Sequence, residues 1–220
     1  MGLKDYLDKK DREYNKQERL GRWRPWHSRA YHKHFMGYSE RYVTRADGKG
    51  MKIERIYTGH YYRRTLSNIA CVKTRVVYCL CFLAGAVLFI YGAAVPVKSN
   101  FLWYVTLPEA AAIPCLFLTA FSLVMNVSAP ADMTIPRYIR SVRNLQRYAA
   151  LSSGCIFTAA FTTLFFLFDD PEATREAWIC LLLFIVSGAS FLTITLIEAH
   201  VHYDIIPNPV AVPDEGIEIG

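Results

Sequence analysis

The sequence predicts an all-α membrane protein: a four-transmembrane-helix bundle with a small basic cytosolic N-terminal region containing a β-hairpin. Three observations carry this. Val76–Val97 is a run of 22 residues without a charge, bracketed by Lys73 and Arg75 before it and Lys98 after it. As a helix it is about 30 Å long, the thickness of a bilayer's hydrocarbon core. Three further apolar stretches follow, over 101–127, 148–168 and 177–197. The basic residues are also unevenly spread: 19 of the 25 Lys and Arg fall in residues 1–75, four in the linker between the second and third stretches, and two, Lys98 and Arg175, elsewhere.

Residues 1–21 read as a charged amphipathic helix. Asp5 and Lys9, Asp8 and Arg12, and Lys4 and Asp8 stand at i,i+4, where opposite charges support a helix. Leu3, Tyr6, Leu7 and Tyr14 make only a thin apolar stripe, so this helix is solvated or docked and does not insert. The hydrophilic start does not resemble a cleavable signal peptide.

Residues 22–66 hold a basic aromatic segment and then the hairpin. Arg22, Arg24, Arg29 and Lys33 interleave with Trp23 and Trp26, and Pro25 opposes a continuous helix. Basic residues mixed with Trp suit an anionic membrane surface or a nucleic-acid backbone. The tether to a membrane span favours lipid headgroups, and nucleic acid is not expected. A folded cap in which the Trp rings simply pack is the alternative. Tyr38–Arg45 and Met51–Thr58 then alternate polar and apolar residues around ADGKG, whose glycines suit a short hairpin loop.

Within the 67–200 domain, the second span is irregular, because Pro108, Glu109 and Pro114 interrupt its outer part. The following linker places Arg137, Arg140, Arg143 and Arg147 three or four residues apart. They share one face of a helix expected to lie along the membrane ahead of the third span, and are candidates for binding lipid headgroups. Gly154, Thr158 and Thr162, and SGAS at 187–190, are small residues at spacings that let helices approach closely, within the bundle or across an oligomer seam. Residues 201–220, rich in Pro and acid, read as an extended or disordered tail.

An even number of spans returns both termini to one side. With 23 Lys and Arg on that side and two on the other, the positive-inside rule places both termini in the cytosol of a multi-pass protein of the plasma or cytoplasmic membrane.

Two features suggest chemistry. Glu109 is an acid well inside an apolar span, which suits a proton or cation relay; if the helix begins near Leu107, it is instead a first-turn acid complementing the helix dipole. Glu198, His200, His202 and Asp204 alternate along the chain and carry donors that suit zinc, although polar residues closing a span at the interface have the same pattern. The six cysteines lie within or beside apolar runs and read as small packing residues. Phosphate-cradling loops, H-E-x-x-H, G-x-S-x-G and Cys-x-x-Cys pairs are missing, so no catalytic residue and no cofactor is expected. The expected function is a non-enzymatic accessory or scaffold subunit of a membrane complex, with a membrane protein or a second copy as partner. The alternatives are an oligomeric small-solute or ion transporter or channel subunit using Glu109 and, more weakly, a metal-dependent membrane enzyme.

Overall fold

A computed structural model describes residues 36–44, 51–169 and 175–208. The helix expected over 1–21, the basic aromatic segment over 22–34 and the tail beyond 208 lie outside them. The described elements run β1 (Tyr38–Thr44), β2 (Met51–Tyr57), β3 (Tyr61–Arg64), α1 (Asn68–Ala94), a 3-10 turn (Lys98–Phe101), α2 (Trp103–Val127), β4 (Asp132–Thr134), α3 (Ile135–Tyr138), a π-helical turn (Ile139–Arg143), α4 (Asn144–Asp169), α5 (Arg175–His200) and β5 (Tyr203–Ile206).

Four helical stretches are long and apolar enough to cross a membrane: α1, α2, the run 135–169 and α5. α1 starts eight residues before the apolar run, because Ser67 caps it with a side-chain oxygen that accepts the Ala70 N–H at 3.3 Å. It stops at Ala94, since Pro96 disfavours helical geometry at Val95. Its last carbonyls are taken up by Asn100, whose Nδ2 donates to Gly92 at 2.9 Å and Val95 at 3.0 Å.

Pro108 and Pro114 do not interrupt the second span, contrary to the sequence expectation: both sit inside the single helix α2. Nor is the arginine linker a separate helix. Ile135 to Asp169 winds without a break through the π turn, with no Gly or Pro between 137 and 153 to stop it. The four arginines therefore lie on the entry to the third span.

α4 packs on both α2 and α5, and α5 on both α4 and α1. Phe184, Phe191, Leu145, Ile156 and Ile194 are fully buried between them. Close helix approach depends on small residues. Gly85 of α1 leaves room for the Phe191 ring, whose Cε2 would lie 2.8 Å from an added Cβ, and Ser187 Oγ donates to the Gly85 carbonyl at 2.7 Å. Ser153 donates to the Gly188 carbonyl at 2.9 Å, joining α4 to α5. The two small-residue motifs thus separate. Ser187 and Gly188 pack inside, whereas Gly154 and Thr158 face outward and a Cβ at Gly154 would meet nothing within 4 Å.

The fold is not purely helical. The expected hairpin is present as β1 and β2, paired antiparallel from Tyr38–Tyr57 to Thr44–Met51. Its root turns at Gly37, whose φ of 84° is in the left-handed region, and the Gly37 carbonyl accepts both Thr58 N–H and Gly59 N–H at 2.9 Å. A second sheet, in the order β4-β3-β5 and antiparallel throughout, was not legible in the sequence. It joins the lead-in to α1, the turn between α2 and α3 and the exit from α5, which all emerge at one end of the bundle. Residues 203–206 are therefore a paired strand and not a free tail. Asn208 Nδ2 donates to the Tyr57 carbonyl at 2.7 Å and Tyr57 Oη accepts the Ile135 N–H at 3.0 Å, which fastens the hairpin root to the same end.

Candidate functional site

The densest group of buried polar side chains lies where the second sheet meets the helix ends. Strand alternation directs Arg63 outward and Arg64 inward. Arg63 makes a bidentate pair with Asp132 on β4, at 2.6 and 2.7 Å. Arg64 is 8% exposed and reaches into the bundle. Its Nη2 donates to Asn126 Oδ1 at 2.9 Å, its Nε to Tyr203 Oη at 2.9 Å and its Nη1 to Cys71 Sγ at 3.5 Å. Asn126 passes the connection on, with Nδ2 donating to the Ser141 carbonyl in the π turn at 3.1 Å. Glu198, at the end of α5, accepts hydrogen bonds from Tyr78 Oη at 2.5 Å and from Tyr203 Oη, and lies 3.9 Å from Arg64 Nη2.

Burial opposes charge on Arg64, but Tyr203 and Glu198 outweigh it and hold the guanidinium protonated, its pKa above the ordinary value. Burial, reinforced by Glu198, pushes the Tyr203 hydroxyl up, so it stays neutral and donates. One cation and one anion are thus buried with their hydrogen bonds made, and a charge so placed is a fastener. The cluster ties β3, α1, α2, the π turn, α5 and β5 together.

Glu109 presents the opposite situation. α2 begins at Trp103, so Glu109 is its seventh residue and lies beyond the first turn, which holds no acid. The reading as a dipole-complementing first-turn carboxylate does not survive this. The side chain is 7% exposed, and its Oε1 is one of three buried side-chain atoms among the described residues without a hydrogen-bond partner, with Arg75 Nε and Ser122 Oγ.

The sequence-suggested metal ligands diverge. Glu198 faces inward to two tyrosines, His200 is exposed with Nδ1 2.7 Å from the Leu196 carbonyl, and His202 and Asp204 are exposed on the far side of the chain's turn into β5. Among the described residues no three His, Cys, Asp or Glu side chains gather where they could share a metal. The four do not share one helix or one strand, because α5 ends at His200 and β5 begins at Tyr203. All six cysteines are free, and Cys180 is buried with its Sγ 2.9 Å from the Gly92 carbonyl. Of the lipid-surface candidates, Arg137, Arg140 and Arg147 are exposed and Arg143 is half-buried. Arg22, Trp23, Arg24, Trp26, Arg29 and Lys33 lie outside the described residues.

Sequence reading missed Arg64, Tyr78, Asn126 and Tyr203. The signal for two of them was present: in YYRR the strand period of two puts Tyr62 and Arg64 on one face, and Asn126 is an amide at the end of an apolar helix, where a partner is required.

Comparison with known proteins finds no matching family model, no similar curated protein and no similar solved structure.

Proposed function

We propose that this chain is a non-enzymatic accessory or scaffold subunit of a membrane complex, with both termini in the cytosol of a plasma or cytoplasmic membrane. The observation that supports it most is the β1–β2 hairpin. Among the described strands each of its two pairs only with the other, which leaves one edge of each without a strand partner. A lone two-stranded hairpin is marginal in water and its edges template further strands, so a second protein segment is the natural neighbour. The basic aromatic segment over 22–34 adds attraction to anionic lipid headgroups on the same side. The orientation rests on the arginine and lysine distribution.

The test is stoichiometric. The full chain purified in mild detergent is expected to carry one further membrane protein, or a second copy, at a fixed ratio. Arg41→Pro, which takes a backbone donor out of β1, is expected to release that partner while the helices remain folded. A chain that purifies as a monomer under conditions that preserve its fold overturns the proposal.

One observation favours a second reading. The buried Oε1 of Glu109 has no hydrogen-bond partner in a span, and intramembrane acids commonly carry ions or protons. On this reading the chain is an ion-coupled transporter or channel subunit. Reconstituted protein would then support proton- or cation-dependent flux, and Glu109→Gln, which keeps the shape without the ionisable group, would abolish it. The accessory-subunit reading expects no flux from the wild type.

A further inference from the structure

Two arginines from different helices converge on the turn that follows α2. Arg75 of α1 donates from Nη2 to the Ala129 carbonyl at 2.7 Å, and Arg137 of α3 donates from Nη2 to the neighbouring Ser128 carbonyl at 2.8 Å. Capping the carbonyl end of α2 explains one donor from each. It leaves Arg75 Nε, which is buried, without a partner, and it brings two positive charges to adjacent carbonyls of one turn.

No carboxylate among the described residues relieves them. The acid in the adjoining turn, Asp132, is committed to Arg63 through both oxygens. Glu198, at the end of α5, is committed to Tyr203, Arg64 and Tyr78, the last of these one helical turn along α1 from Arg75. Neither Arg75 nor Arg137 has an acidic partner among the described residues. Guanidinium groups in this state suit a phosphate, whose oxygens match their planar donors.

The depth identifies the source of that phosphate. Arg75 is the last charge before 22 uncharged residues, and Ser128 and Ala129 directly follow the apolar α2. Both guanidiniums therefore stand at the boundary between hydrocarbon and water, the level of phospholipid headgroups. We propose that Arg75 and Arg137 form a binding site for the phosphate of one anionic phospholipid, seated against the Ser128–Ala129 turn. This site is independent of the partner-docking reading, since it uses no residue of the hairpin.

The test is native mass spectrometry of the full chain in detergent, titrated with phosphatidylglycerol and, separately, with phosphatidylcholine. One phosphatidylglycerol is expected to bind each chain in preference to phosphatidylcholine. Arg75→Gln and Arg137→Gln keep a donor for the carbonyls but remove the charge, and each is expected to weaken binding about fivefold. Lys98→Gln, at the opposite end of the bundle, should leave binding unchanged. Should Arg75→Gln fail to fold, the exposed Arg137→Gln alone decides. Unchanged binding in Arg137→Gln, equal binding of the two lipids, an equal loss in Lys98→Gln, or displacement of the lipid by inorganic phosphate at millimolar concentration would each overturn the proposal.

Discussion

Arg64 Nη2 and Asn126 Oδ1 stand 2.9 Å apart, 62 residues distant in sequence and both buried. The contact joins a strand that precedes α1 to the last turn of α2. Asn126 in turn holds the Ser141 carbonyl at 3.1 Å, so a single side-chain amide bridges a sheet and the π turn that opens the third span. Helices ending in water could be held by short loops alone. Here their ends are locked by one arginine.

The first prediction concerns that lock. Arg64→Ala strands Glu198, which is 4% exposed, with only tyrosine donors, and leaves Asn126 Oδ1 without its donor. Breaking a buried charge pair from one side costs about 3–5 kcal/mol. A large fall in the thermal midpoint in detergent is expected, with the sheet end opening first in hydrogen exchange. The double change Arg64→Met with Glu198→Gln, which removes both charges, should recover much of the loss. A midpoint in Arg64→Ala close to wild type would contradict the assignment.

Tyr57 supplies a pH dependence. Burial pushes its hydroxyl pKa up to about 12, against a contribution from the Ile135 N–H that lowers it. A raised pKa in the folded state means that the native form keeps this proton after the unfolded chain has lost it. The contribution is complete below the unfolded value near 10 and is lost as pH rises through about 12. Wild-type stability should therefore fall more steeply between these limits than that of Tyr57→Phe. Parallel curves from alkaline unfolding of the two proteins would show the hydroxyl to be uninvolved.

Two glycines should respond oppositely to the same substitution. A Cβ at Gly85 would lie 2.8 Å from Cε2 of Phe191, a ring that is fully buried and has nowhere to retreat. Gly85→Ala is expected to destabilise by about 1–3 kcal/mol, the cost of overpacking. Gly154 faces open space, so Gly154→Ala is expected to be neutral or to gain up to about 1 kcal/mol of helix propensity. Thermal midpoints in one detergent compare them directly. A loss at Gly154 equal to that at Gly85 would mean that the outward face of α4 is occupied.

Sidedness is checked by single cysteines in a cysteine-free background. Lys98 and Arg175 are exposed at one end of the bundle, and Ser128 and His202 at the other. Cysteines at Lys98 and Arg175 should react with an impermeant reagent applied to intact cells, and those at Ser128 and His202 only after permeabilisation. The reverse pattern would invert the orientation proposed from charge.

The sequence by itself determined the hairpin and the four helices long and apolar enough to cross a membrane. Both follow from local physics: twenty or so uncharged residues cannot remain in water, and alternating strands about a glycine-bearing turn pair with their immediate neighbour. It also carried the asymmetry of charge, since that is a count along the chain. Tertiary structure alone decided the rest. That Glu109 lies past the first turn of α2 depends on where the 3-10 turn before it ends, which no residue pattern marks. The β4-β3-β5 sheet assembles segments about 70 residues apart, each three or four residues long and too short to declare a period. His200 and Glu198 look equivalent in sequence, yet one meets solvent and the other two tyrosines, because residues two apart on α5 point to opposite faces. Arg75 and Arg137 reach adjacent carbonyls only because packing brings both to the turn after α2. Long-range pairing of polar groups is set by how the helix ends meet, and that geometry is a property of the packed bundle.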